Sequence, residues 1–101
     1  MKEARVFQMG IPAGTLRELD KGKYEFEYLP GYQGPPVSLT LKVRPKAYLF
    51  EVFPPFFEGL LPEGPQLEAL LKIAKLDESD FFGQLLEVGG DLVGSVTVTP
   101  L

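Results

Sequence analysis

Carboxylates are the only side chains here whose spacing suggests chemistry. Asp80 opens the run DFFG that closes on Gly83, and Glu58 lies close to Glu63 in sequence. An acid beside a glycine can hold a divalent metal against phosphate, and paired carboxylates can divide acid and base work. Neither pattern is complete. The metal-holding Asp-Phe-Gly form is one residue shorter, and no glycine-rich phosphate loop or partnered lysine precedes this one. Glu58 and Glu63 are two of 14 acidic residues, so their proximity carries little. GGDLVG, residues 89–94, has the glycines of a phosphate cradle in the wrong place. It follows a helix pattern and precedes a strand pattern, whereas an anion needs the positive start of a helix. It reads as a helix stop and a turn. The expected catalytic, cofactor-binding and metal-ligating sets are all none.

Composition closes further routes. With no His and no Cys, the chain lacks the commonest general base, the commonest metal ligand, all thiolate sites and all disulfides. Its net charge of −4 and scattered Lys and Arg disfavour phosphate backbones, so no direct nucleic-acid partner is expected. No apolar stretch approaches the roughly 18 residues that span a bilayer, and the opening MKEAR lacks an apolar signal region. No membrane partner is expected, and the cytoplasm is the expected compartment. A chain of 101 residues suits a single domain, 1–101, with a core that needs no staples.

Periodicity supplies the elements. Residues 5–9 and 15–19 read as strands around a turn at 10–14, and residues 20–22 as a second tight turn. Tyr24, Phe26 and Tyr28 alternate with Glu25 and Glu27, placing aromatics on one face and solvated carboxylates on the other. PGYQGPP, residues 30–36, is loop. Val37, Leu39, Leu41 and Val43 alternate with Ser38, Thr40 and Lys42 in the clearest strand pattern of the chain, ended by Pro45. Residues 48–53 are extended or lead into a helix.

A short helix is expected over 56–61, with Pro54 and Pro55 tolerated at its start. A second begins at Pro65 and aligns Leu67, Leu70, Leu71 and Ala74, with Glu68 and Lys72 paired on the wet side. Ser79 or Asp77 can cap a third, with Asp80 a carboxylate at its start and Phe81, Phe82, Leu85 and Leu86 along it. Gly89 and Gly90 end it, and residues 92–99 form a last strand. The fold class is α+β, a mostly antiparallel sheet with about three short helices inserted before the last strand. The expected core includes Tyr24, Phe26, Leu39, Leu41, Phe57, Leu71, Phe82, Leu86 and Val96.

The segment FPPFFEGLLPEGP, residues 53–65, stands apart. Four prolines and two glycines fall within 54–65, among large apolar side chains. Phe56, Phe57, Leu60 and Leu61 suit a core. The stiff backbone after them suits insertion into a partner's groove at low entropic cost. Leu61, Pro62, Glu63, Gly64, Pro65 and Gln66 are therefore candidate partner-binding residues, the alternative being that they only punctuate the chain.

Taken together, these residues resemble the N-terminal subdomain of HipA-type serine/threonine kinases, the toxins of bacterial toxin–antitoxin systems. The resemblance runs through the aromatic strand 24–28, VSLTL at 37–41, FFEGLLP at 56–62, FGQLLEVGG at 82–90 and DLVGSVTV at 91–98. The FFxxLLP element and the closing GxVTV strand are fairly specific in combination. In that family the kinase core follows the subdomain, whereas this chain runs from Met1 to Leu101 and stops just after its last strand, as expected of a complete gene product. Such a module resembles the HipS-like antitoxins of three-component HipBST systems. The resemblance implies a non-catalytic subunit without a cofactor, binding and inhibiting a separate HipA-like kinase. It also implies that a DNA-binding HipB-like protein is reached through the complex. The alternative is a structural subdomain that aids kinase assembly without inhibiting. The chain has no Trp, so Leu61, Pro65 or a phenylalanine must fill any space that a relative fills with an indole.

Overall fold

The computed structural model describes residues 2–20, 22–92 and 94–101. β1 (Glu3–Gln8) and β2 (Ile11–Glu18) form a hairpin, β3 (Tyr24–Tyr28) pairs with β2, and β4 (Tyr48–Phe50) pairs with β3. β5 (Val96–Pro100) returns to the free side of β1, so the antiparallel sheet has the order β4-β3-β2-β1-β5. β4 and β5 are opposite edges. The chain between them must therefore cross the sheet, and it does so through α1 (Pro55–Glu58), α2 (Gly64–Ala74), α3 (Phe81–Val88) and a 3₁₀ turn, Gly89–Asp91. This is the expected α+β architecture, with three helices before the last strand.

Alternation decides which sheet face is covered. Ala4, Val6, Leu16, Tyr24, Phe26, Tyr28, Val96 and Val98 point inward and are buried. Phe53, Phe57, Phe82 and Leu85 close over them from the crossing segment. The rings interlock: Tyr24 meets Phe53 edge-on at 5.1 Å and stacks on Phe82 at 6.1 Å, while Phe26 lies 5.7 Å from Phe57. Such pairs add about 0.5–1.5 kcal/mol each beyond the area they bury. Gly89 sits where α3 ends against β5, and a Cβ there would collide with the Val98 carbonyl. Its role is close approach, since its backbone is ordinary right-handed helix.

Several expectations need correction. The turn at 10–14 is shorter: Met9 and Gly10 both have positive φ, as a two-residue hairpin turn requires, and Ile11 already pairs with Gln8. Pro12 is accommodated because the β1–β2 register shifts beside it, so no regular ladder is asked of it.

Residues 37–43 are not a strand. They form a turn with one isolated bridge, Ser38 to Leu41, and Leu39 at its apex is 95% exposed rather than core. β4 already occupies the free side of β3, and the Ser38 hydroxyl oxygen accepts the Thr40 N–H, which competes with a ladder. Leu71 is half-buried and is not among the side chains packed on the core, because α2 lies outside α3. Leu86 packs on the core only partly. The α3 cap is Asp80, which accepts the Gly83 N–H at 2.9 Å, in place of Ser79 or Asp77. The last strand begins at Val96; Val93, within the expected strand 92–99, and Lys21, within the expected turn 20–22, lie outside the described residues.

Candidate protein-interaction site

The candidate loop is built by the way α1 stops. Pro54 and Pro55 start α1, and after Glu58 the chain tightens: Leu60 N–H donates to Phe57 O and Leu61 N–H to Glu58 O, each at 3.1 Å. That turn directs Leu61 onto the core, where it and Pro62 are half-buried. Glu63 is extended and stands at the start of α2, with no side-chain cap bond. Gly64 has φ +59°, in the left-handed region that favours glycine, and Pro65 then fixes the first turn of α2. The six candidate residues thus divide. Leu61 and Pro62 anchor the loop, while Glu63, Gly64, Pro65 and Gln66 are exposed.

A groove of about 390 Å³ lies beside this loop. Leu60, Leu61, Pro62 and Gln66 form one wall, and Val88, Asp91 and Leu92 form the other. Sequence reading found the first wall and missed the second. The missed signal is the 3₁₀ turn after α3, which a glycine pair conceals as a plain helix stop.

Two further polar arrangements were also missed. On the open face of the sheet, Arg17 donates to Glu3 at 2.7 Å, Glu25 at 2.7 Å and Glu27 at 3.2 Å. Glu25 and Glu27, expected merely to be solvated, are held in this cluster, and the hydrogen bond to Glu3 above all pushes the Arg17 pKa upward. The register that aligns Glu3, Arg17 and Glu25 across three strands is invisible until pairing is known. On the core side, the Tyr28 hydroxyl donates to Leu41 O and accepts the Val37 N–H at 3.0 Å, pinning the turn beneath Leu39. Burial pushes the Tyr28 pKa up.

None of these arrangements sets a nucleophile beside a base. Asp80 is occupied with its helix cap, and among the described residues no three acids close around a point that could hold a metal ion. Among the described residues, no helix is long and apolar enough to cross a membrane. What the geometry offers is a stiff exposed loop and a groove.

The family model of the HipA N-terminal domain matches residues 4–99, which take in all three helices and all of the sheet except Glu3 and Pro100 at its margins. The chain belongs to the HipA N-terminal domain family. A solved structure described as the N-terminal domain of HipA toxin superposes on it with a TM-score of 0.76 and 30% sequence identity, over 100% of this chain and 93% of that one. An uncharacterized protein of Haemophilus influenzae is 34% identical over 98 residues, covering 97% of this chain and 92% of that protein. A protein of Sinorhizobium fredii named "Putative kinase Y4dM" is 38% identical over 101 residues, covering 90% of this chain. The match spans only 25% of that protein's length. This chain thus matches nearly all of a small relative and part of a much longer one.

Proposed function

We propose that this chain, acting as one module over residues 1–101, is a non-catalytic antitoxin subunit that binds and inhibits a separate HipA-like serine/threonine kinase in the bacterial cytoplasm. The observation that carries this reading is the pair of relatives. The sequence matches nearly the whole of a small Haemophilus influenzae protein, and also a quarter of a longer protein named as a putative kinase. A module of this family as a small chain suits a subunit that meets its kinase from outside. A DNA-binding HipB-like protein would be reached through that complex, because the net charge of −4 gives this chain no pull of its own toward nucleic acid. Leu61, Pro62, Glu63, Gly64, Pro65 and Gln66 are the proposed contact, their stiffness lowering the entropy lost on docking.

The test is kinase activity in a complex of the two purified proteins. Replacing residues 63–66, the exposed part of the loop, with a flexible Gly/Ser segment is expected to restore phosphorylation while leaving the free module folded, because Leu61 and Pro62 keep their anchoring positions. Full inhibition by a folded replacement would move the contact to the open sheet face or to residues 89–94.

A second reading is favoured by the Sinorhizobium fredii match, in which the domain is part of a longer chain. There the module would assist assembly of a kinase without inhibiting it. Mixing the separate module with an active kinase discriminates: an undiminished rate in the bound complex favours assembly, and a lost rate favours inhibition.

A further inference from the structure

Charge is unevenly divided along this chain. Residues 58–91, the helical crossing, hold eight of the 14 acids but only two of the ten bases, a net of −6. The remainder holds six acids and eight bases, a net of +2. Among the described residues, the salt bridges run from Arg17 and Lys23 to Glu3, Glu25, Glu27 and Glu51, so no acid of the helical crossing is neutralised by one.

The groove beside the candidate loop lies within this acidic half. Asp91 is on its wall, and the exposed residues Glu63 and Glu87 are the sequence neighbours of its lining residues Pro62 and Val88. Val88 is also the last residue of α3, whose final turn contains no basic side chain. The partial negative charge of that helix end is therefore not offset by α3 itself. The start of α2 carries the opposite partial charge, but Glu63 sits on it and opposes it. Between these charged features the lining carries the apolar side chains of Leu60, Leu61, Pro62, Val88 and Leu92, with Gln66 an uncharged polar side chain among them.

We infer that this groove seats an extended protein segment carrying Lys or Arg on either side of an apolar residue. The apolar side chain fills the space between the two walls, and the cations meet Glu63, Glu87 and Asp91. The inference shares with the proposed function the use of residues 61–66 as a contact surface, but it does not depend on kinase inhibition.

The experiment uses the whole chain in NMR titrations with two probes, an uncharged-terminus peptide of alternating Arg and Leu and its Glu-Leu counterpart. The Arg-Leu peptide is expected to shift the amides of Leu60, Leu61, Gln66 and Leu92, and to bind more weakly as salt rises from about 50 mM to about 300 mM. The triple variant Glu63→Gln, Glu87→Gln, Asp91→Asn is expected to weaken binding by roughly tenfold, with a spectrum that reports an intact fold. An equal response to the Glu-Leu peptide would overturn the inference. So would shifts confined to the open sheet face, no shift at millimolar peptide, or undiminished binding by the folded triple variant. Failure here leaves the inhibition assay free to succeed through other contacts, and failure of inhibition leaves peptide binding intact.

Discussion

α2 and α3 are consecutive helices, each with apolar side chains at helical spacing, yet the fold uses them differently. α3 buries Phe82, Gln84 and Leu85, whereas α2 buries no residue. The difference begins at the sheet. α3 lies over the aromatic row of β3 and ends against β5, where Gly89 lets its backbone approach Val98. Gln84 is fixed there by its amide, which donates to Asp77 O at 3.1 Å and Glu78 O at 3.0 Å. α2 leans chiefly on α3, outside that layer, and leaves Ile73 82% exposed. An apolar stripe shows that a helix has something to cover, but not that its own chain covers it. In this molecule the helix that follows the stiff loop is the one left partly bare.

The strongest attack on this contrast is Phe82→Ala. Phe82 is fully buried between Tyr24 and Phe53, so its removal should cost about 3–5 kcal/mol in urea unfolding. A loss of under about 1 kcal/mol would mean that α3 does not close the core.

Tyr28→Phe should cost less, about 1–3 kcal/mol, because it leaves Leu41 O and Val37 N–H without their buried partner. It also has a pH signature. Burial raises the folded Tyr28 pKa above its ordinary value of 10.0. The stabilisation is therefore fully present below about pH 10 and is lost as pH rises through the folded value. The wild-type midpoint should fall above that pH more steeply than that of Tyr28→Phe. Parallel alkaline curves for the two proteins would remove Tyr28 from the account.

How much of this was legible in sequence depends on how local its cause is. Tyr24, Phe26 and Tyr28 announce a strand because alternation and β-propensity agree, and α3 announces itself through Phe82 and Leu85 with Asp80 ahead. Residues 37–43 mislead for the opposite reason. Their alternation exists in sequence only, since Val37 and Leu41 are buried but Leu39 between them is exposed, and the side of β3 that such a strand would join is taken by β4. The loop 61–66 was legible because proline and glycine act on their own backbone. Its facing wall, Val88, Asp91 and Leu92, was not, because only the crossing of the sheet brings the end of α3 beside the end of α1.

The smallest expected effects come from α2 and sharpen the comparison most. Leu71→Ala should cost roughly 1–2 kcal/mol, below the range for a fully buried leucine, since Leu71 is half-covered. Ile73→Lys should lie within about 0.5 kcal/mol of wild type, because a side chain already in water has no burial to lose. Urea midpoints measured at two protein concentrations give this second result its meaning. If Ile73→Lys is neutral and the wild-type midpoint does not depend on concentration, α2 is bare in the free chain and available to a partner. If the substitution destabilises, and the wild-type midpoint rises with concentration, a second copy already covers α2 in solution. If it destabilises without that dependence, Ile73 packs within its own chain, and the contrast between the two helices fails.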